Sequence, residues 1–487
     1  MPSPSWNTLL TKKSIESLQR EAIADGSPTL DRSLGLVTLV GLGIGVIIGA
    51  GIFVITGLVA ANHTGPSIVL SLILAALGCA CVGLCYAEFA SLIPVTGSAY
   101  TYAYVTLGEI FAWIIGWDLV LEYLFSASTV AVGWSGYLVS LLRDVGIQLP
   151  SALSQPPCNV PAMVVVALTT GLLVVGIRQV GQVNIILVAI KVIAILFFIA
   201  FGLSRIDPQN WFPFIPPNSG EFGVFGWSGV LRGSGMIFFA YIGFDALANA
   251  TQEAQEPQRT IPIAMMVSLL ISTLLYVSVS LVMVGIVPYA DLNVPDPIAV
   301  TVNAMGAEFQ WFRPLIKLAA ITGLSSVVLV NLMAQARLLH RMATDGLLPP
   351  ALAQIHPQFK TPYLATIGSG AIAMVLAGCL PIEVLGNLVS IGTLLAFTIV
   401  SIAVLILRHN QPELQRSFRV PFMPWIPLLG AVTSIVQMLS FSLNNWLRLL
   451  GWLAIGLLIY VTYGRSRSKA HGQNQPLSSN LVGSELE

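Results

Sequence analysis

Charge is what this chain has least of. Of its 487 residues only 9% are Asp, Glu, Lys or Arg, where a soluble globular protein carries about 25%, so a water-soluble fold is excluded. A cysteine framework is missing too. The five cysteines are Cys79, Cys81, Cys85, Cys158 and Cys379, and four of them lie in or beside apolar runs, which argues against a disulfide scaffold. Three share one run, but no histidine or further cysteine lies near enough in sequence to complete a metal site, so neither metal nor cofactor is expected. His63, His340, His356, His409 and His471 all fall in loops or at helix ends. No His/Ser or His/carboxylate cluster therefore points to catalysis within an apolar segment, and an enzyme is not expected. The formal net charge is zero, and no basic, aromatic-interleaved patch offers a surface to nucleic acid. A channel would need a continuous polar stripe or a charged ring, and neither is present. No small-residue cleavage site follows the first apolar run. Residues 1–33, with Lys12, Lys13, Arg20 and Arg32, are read as an uncleaved cytoplasmic arm.

What is present is hydrophobicity, at 55% of the chain. It comes as runs near 34–60, 66–92, 98–141, 161–177, 183–203, 229–254, 262–288, 313–338, 363–381, 384–407, 422–441 and 444–464. About 20 apolar residues in a helix cross a ~30 Å hydrocarbon core. The strands of a barrel would alternate apolar and polar, and these runs do not. The expected fold is an all-α membrane protein of twelve transmembrane helices. Basic residues collect on the cytoplasmic side of such proteins. With the amino terminus inside, fifteen Lys and Arg fall in inner segments and six in outer ones, and Lys191 within a span completes the 22. Both termini are therefore expected in the cytoplasm. The tail 465–487, rich in Ser, Asn, Gln and Gly, is expected to be disordered.

Two runs are interrupted alike. The first reads GLGIGVIIGAGIFVITG, with Gly41, Gly43, Gly45, Gly49 and Gly51; the sixth reads GSGMIFFAYIGFD, with Gly233, Gly235 and Gly243 before Asp245. Glycine also serves close helix packing, and Gly41, Gly45 and Gly49 have the spacing for it. The five-helix separation of the two runs, however, is that of an inverted repeat, whose paired broken helices mark a midplane site. The expected organisation is a first five-helix repeat at 34–203, a second at 204–407 that includes the preceding outer loop, and two further helices at 408–464.

Breaking a helix in lipid frees backbone groups that cost several kcal/mol each unless bonded. A zwitterion satisfies them, with its carboxylate on the amides that start one half-helix and its ammonium on the carbonyls that end the other. The expected carboxylate site is Gly49, Ala50 and Gly51, the ammonium site the Ile47 carbonyl, with carbonyls of Phe239, Ala240 and Ile242 added from the sixth run.

Lys191 stands alone in NIILVAIKVIAILFFIAFG, where a lysine costs roughly 2.5–3.5 kcal/mol on insertion scales. It is either a proton-coupling site or a fixed cation bonded to carbonyls of the first helix. Asp118 and Glu122 in GWDLVLEY are four apart and share a helix face. Glu122 offers charge to a cationic substrate side chain or pairs with Lys191; Asp245 is expected to cap the second half of the sixth run.

Nearly all of 30–465 resembles the cationic amino acid transporter family within the amino acid, polyamine and organocation permeases. The motifs are GIGVIIGAGIFVITG at 43–57, YAEFASLIPVTGSAYTYAYVTLGE at 86–109, GWDLVLEY at 116–123, FFAYIGFD at 238–245, EPQRTIP at 256–262, and DGLLP at 345–349 followed by TP at 361–362. The resemblance implies a five-plus-five inverted repeat with discontinuous helices 1 and 6, and transport by alternating access. It puts proton coupling on Lys191 and substrate contacts on Ile47, Ala50, Gly51, Phe239, Ala240 and Ile242. Counted back from Arg337, the position that selects for substrate size is Ser325, whose small side chain leaves room for a long one. The chain departs from the family pattern at Gln252-Glu253, usually two acids, and at Ala334-Gln335. The reading that follows is proton-coupled uptake of cationic or broad-range L-amino acids across a bacterial inner membrane, with the substrate, protons and the lipid bilayer as partners. The alternatives are an exchanger, a neutral amino acid carrier, or an amino acid sensor on the same fold.

Overall fold

The computed structural model describes residues 11–13, 34–92, 98–176, 180–244, 247 and 254–468. Among them there is no strand, only one parallel bridge between Leu34 and Ala254. The chain runs through α1 (Leu36–Ile47), α2 (Ile68–Leu92), α3 (Ser98–Thr106), α4 (Glu109–Asp144), α5 (Val160–Val175), α6 (Val180–Gly202) and α7 (Gly226–Ile237). It continues through α8 (Pro257–Ile286), α9 (Pro297–Ala304), α10 (Phe312–Thr344), α11 (Tyr363–Cys379), α12 (Ile382–Asn410), α13 (Trp425–Leu439) and α14 (Leu443–Ile459). Seven helical stretches among the described residues are long and apolar enough to cross a membrane, and α5, α11 and α13 are shorter apolar helices. The first stretch, Leu36–Leu92, holds both the α1 break and a reversal at Gly65, whose φ is +59°.

The helices are inside-out relative to a soluble bundle. On α6 the outward residues Ile186, Ile190, Ile193 and Phe197 are apolar and exposed, while Lys191, Ile195 and Phe198 are buried. An exposed stripe of that kind at helical spacing faces hydrocarbon, not water.

Two differences from the sequence reading concern boundaries. The run 98–141 is two helices, not one, because Gly108 takes φ +106° and turns the chain between α3 and α4. The sixth run is α7, a 3-10 turn at Phe238–Tyr241, and then extended chain at Ile242. Asp245, with its expected capping role, lies outside the described residues, as do Arg178 and Gln252-Glu253.

Polar ties fix the periphery. The buried Glu88 carboxylate of α2 accepts from Arg408 of α12, at 2.5 Å to Nη2 and 3.0 Å to Nε, and from the Val420 amide at 2.8 Å. Trp117 of α4 and Trp452 of α14 stack with centroids 4.7 Å apart, and each indole N–H donates to the other's carbonyl. At one end of the bundle Lys13 donates to Asp345 at 2.8 Å with both side chains buried, and the Tyr100 hydroxyl donates to the same carboxylate at 2.8 Å. Beside it the Glu109 amide donates to the Thr11 carbonyl at 3.1 Å. The Glu109 carboxylate accepts from Tyr104, Tyr460 and Ser468. Thr11 to Lys13 and Ser468 are thereby pinned to one corner.

Candidate functional site

The candidate site lies where two helix breaks cross. Helix α1 stops at Ile47, and Ile48 is extended at φ −72°, ψ 95°. Helical chain resumes with a π turn at Gly51–Ile55. The Phe53 amide reaches back to the Gly49 carbonyl at 3.4 Å, and a helix start leaves its earliest N–H groups without a partner inside the helix. Opposite, Ile242 is extended and Gly243 takes φ +117°.

The glycines divide into two groups. Gly43 and Gly45 serve packing: a Cβ there would lie 2.7 Å from Ser268 Oγ of α8 and 2.5 Å from Val188 Cγ2 of α6. Gly51 and Gly243 serve the crossing. A Cβ on Gly51 would lie 2.2 Å from the Ala240 Cα, and one on Gly243 would lie 2.5 Å from Val46 Cγ1. The two broken segments therefore touch backbone to backbone.

Two side chains from neighbouring helices bond the carbonyls that end α1. Lys191 Nζ, fully buried, donates to the Gly45 carbonyl and to the Ile48 carbonyl at 2.6 Å. Gly323 of α10 makes room for its stem, since a Cβ there would lie 3.3 Å from Lys191 Cδ. The Tyr276 hydroxyl of α8 lies 2.7 Å from the Ile47 carbonyl and 2.9 Å from the Ala240 carbonyl. One phenolic proton is shared between the two breaks, donated to one carbonyl at a time.

A cavity lies against these breaks. Its wall comprises Gly45 to Ile47 and Gly49 to Gly51 on the first break, Phe239, Ile242 and Gly243 on the second, Tyr123 and Ser126 on α4, and Ser326, Val327, Val330, Asn331 and Ala334 on α10. Asn331 Nδ2 donates to Ser126 Oγ at 2.9 Å across it. No acidic or basic side chain is among these lining residues.

Six of the residues expected at the site, Ile47, Gly49, Ala50, Gly51, Phe239 and Ile242, are on this wall. Three are not. Ala240 is buried behind it, with its carbonyl toward Tyr276. Glu122 points at α12, where its carboxylate accepts from Thr393 Oγ1 at 2.9 Å. It is not the partner of Lys191, whose hydrogen bonds go to α1 carbonyls. Ser325 turns toward α4, accepting from Trp134 Nε1 at 2.9 Å and donating to the Ile321 carbonyl. Its neighbour Ser326 is on the wall instead. One residue is about 100° of helical rotation, so a count one position out selects a different face. Asp118, one turn before Glu122, is buried with neither carboxylate oxygen hydrogen-bonded.

Sequence reasoning missed Tyr276 and the polar pair Ser126 and Asn331. A phenol within the apolar run of α8 and an amide within α10 were the available signals, since intramembrane polar groups normally face a cavity or a partner.

A chain with two crossing helix breaks beside a cavity in an all-helical, multi-pass membrane protein has the makings of a carrier, and the comparisons with known proteins agree. Residues 34–462 match the amino acid permease family, and the chain belongs to it. It is a transporter and not an enzyme. It is 43% identical to the methylthioribose transporter of Bacillus subtilis and 42% identical to the branched-chain amino acid permease BcaP of the same organism, each covering 95% of this chain and 99% of the relative. It is 37% identical to the vacuolar cationic amino acid transporter 4 of Arabidopsis thaliana, over 84% of this chain and 68% of that protein.

Proposed function

We propose that the protein is a proton-coupled secondary carrier that takes up neutral L-amino acids by alternating access. In this reading twelve spans form a five-plus-five inverted repeat with two added helices, and both termini lie in the cytoplasm of a bacterial inner membrane. The main-chain groups at the crossed breaks hold the zwitterion: the amides of Gly49 to Gly51 take the carboxylate, and the second lone pair of the Ile47 carbonyl takes the ammonium.

The observation that carries the substrate class is the wall of the cavity. A cationic side chain entering it needs a partner, because an unpaired buried charge costs far more than an unpaired dipole. The cationic expectation rested on Glu122 and Ser325, and neither lines the cavity. Val46, Phe239, Val327 and Val330 present apolar surface, and Asn331 with Ser126 presents one polar pair. That set favours a neutral side chain. The relative named for branched-chain amino acids supports this reading. The resemblance to cationic transporters supplies no carboxylate to this wall.

Proton coupling is assigned to Lys191. Protonated, it makes two charge-assisted bonds to the Gly45 and Ile48 carbonyls; as a neutral amine it would make weaker ones, because such bonds are roughly twice as strong when one partner is ionised. Its protonation is thus felt directly at the first break.

Uptake of labelled leucine into proteoliposomes, with and without an inward proton gradient, tests the proposal. Unlabelled valine, alanine, arginine and methylthioribose serve as competitors. The expected result is accumulation that follows the gradient, with valine or alanine competing and arginine ineffective. Preferential competition by arginine would return the cationic reading, competition by methylthioribose alone would move the substrate to thiosugars, and binding without accumulation would make the protein a sensor.

A further inference from the structure

Two cysteines far apart in sequence lie at the same corner of the bundle. Helices α5 and α11 pack antiparallel along their whole length. Thr361 Oγ1 donates to the Val174 carbonyl at 2.8 Å at one end, and a Cβ on Gly370 would meet Thr170 Oγ1 at 2.1 Å midway. A Cβ on Gly378 would meet Met163 Sδ at 2.8 Å near the other end. There the Asn159 amide donates to the Gly378 carbonyl at 3.0 Å. That amide belongs to the peptide joining Cys158 to Asn159, and that carbonyl to the peptide joining Gly378 to Cys379. The two cysteines thus sit on peptide units hydrogen-bonded to each other. Covalent dimensions then keep their Cα atoms within about 8 Å, a bound only slightly wider than the roughly 4.4–6.8 Å window a disulfide needs. Both thiols are free and exposed, whereas Cys79 and Cys85 are buried in α2.

We propose that Cys158 and Cys379 are a redox-active thiol pair that closes to an intramolecular disulfide on the outer face of the membrane. The step is thiol–disulfide exchange with a small-molecule disulfide. The thiolate of one cysteine attacks that oxidant, forming a mixed disulfide and expelling one thiol. The second cysteine then attacks the mixed disulfide, closing the Cys158–Cys379 bond and releasing the second thiol. Two protein thiols are oxidised and one external disulfide is reduced to two thiols. The bond ties the outer ends of α5 and α11 and holds the Leu380–Pro381 link that leads into α12. Only the side of the membrane rests on the topology proposed above. The pairing itself rests on the Asn159–Gly378 contact.

The test treats the full-length protein in right-side-out vesicles with oxidised glutathione, then alkylates it under denaturing conditions and maps peptides by mass spectrometry. The expected product is a crosslinked peptide containing Cys158 and Cys379, reversible by dithiothreitol, with Cys79 and Cys85 still alkylated. In C158S the remaining Cys379 should instead carry glutathione, because no resolving thiol is present. Recovery of Cys158 and Cys379 in wild type as separate peptides, each alkylated or each glutathionylated, would overturn the pairing. Crosslinking that appears only after the vesicles are permeabilised would support the pairing and reverse the assigned orientation.

Discussion

Replacing Lys191 with Met removes the ammonium and keeps most of the stem, so it separates the two roles a buried lysine can have. In the structure Nζ is bonded to the Gly45 and Ile48 carbonyls. Hydrogen bonds to a charged donor contribute about 1.5–3 kcal/mol each, and neutral ones about half that. Deprotonation in the wild type therefore weakens the hold on the end of α1 by roughly 1.5–3 kcal/mol in all, a shift of about tenfold to a hundredfold between conformations that keep or release those carbonyls. That is enough to link a proton to a conformational cycle. The Met variant is locked on the weakly held side at every pH and has no proton to exchange.

Two assays on the same proteoliposomes then give different answers. Gradient-driven accumulation of leucine should fall to the level of protein-free liposomes. Exchange of labelled for unlabelled leucine at equal pH needs no net proton movement and should survive, slowed by no more than about a hundredfold. Accumulation that persists in Lys191→Met would remove the lysine from coupling. Loss of exchange together with uptake, in protein that still melts cooperatively, would make Lys191 a fixed cation that only holds the broken helix together.

Three further perturbations follow from particular contacts. Gly51→Ala places a methyl 2.2 Å from the Ala240 Cα, so the crossed segments must separate at about 1–3 kcal/mol or more; leucine binding should be lost, while Gly41→Ala, with nothing within 4 Å, should bind normally. Equal behaviour of the two variants would mean the crossing is not the site. Lys13→Ala removes the nearer of two cations from the buried Asp345 carboxylate and should lower the melting temperature, by a destabilisation of about 1–3 kcal/mol because Tyr100 and Arg341 still attend it. Adding Asp345→Asn should restore most of that loss, and a double variant as unstable as the single would refute the ion pair as the cause. Asp296, in the loop before α9, has its carboxyl pushed up to about 6, mainly by burial, against the opposing pull of Ser140, Lys317 and Arg143. A raised carboxyl means the folded state binds the proton more tightly than the unfolded state, so stability should fall as pH rises from about 4 to 6; Asp296→Asn should flatten that part of the melting profile and raise the midpoint at pH 7.5, and an unchanged profile would refute it.

The sequence shows the breaks more clearly than it shows the side chains around them. Glycine at 51 and 243 stands out in an apolar run because lipid gives a helix no reason to stop, and the segments that carry these residues are where the structure departs from α-helix. Gly108 was hidden by its surroundings: YVTLGEIF reads as continuous helix, and only the +106° φ reveals the corner. Glu122 and Ser325 show a different limit. Each lies on a helix that does supply wall residues, Tyr123 and Ser126 in one case and Ser326 and Asn331 in the other, but a helix rotates about 100° per residue. Its apolar moment distinguishes lipid from protein, not cavity from neighbouring helix. Tyr276 depends on a contact across 229 residues to Ile47, which no local pattern encodes.

The polarity of the crossed breaks also bears on how a substrate enters. On the acceptor side, the Gly45 and Ile48 carbonyls already receive Lys191, and those of Ile47 and Ala240 share the single Tyr276 proton. On the donor side, the amides that open the segment after Ile48 have no helical acceptor, and the wall beside them holds no acidic side chain. In the binding mode proposed above, an arriving zwitterion gains most through its carboxylate. Its ammonium competes for carbonyls shared with Tyr276, and as it takes the Ile47 oxygen the single phenolic proton is displaced toward Ala240. Because that proton is common to both breaks, the proposed binding mode would transmit occupancy at the first to the second by a hydroxyl rotation. Tyr276→Phe should break this link, leaving amino acid binding measurable while exchange slows by at least tenfold, which is about 1.4 kcal/mol on the rate-limiting step. If calorimetry instead shows binding lost and exchange of the residual bound fraction unaltered, the tyrosine is a substrate ligand and the two breaks communicate by another route.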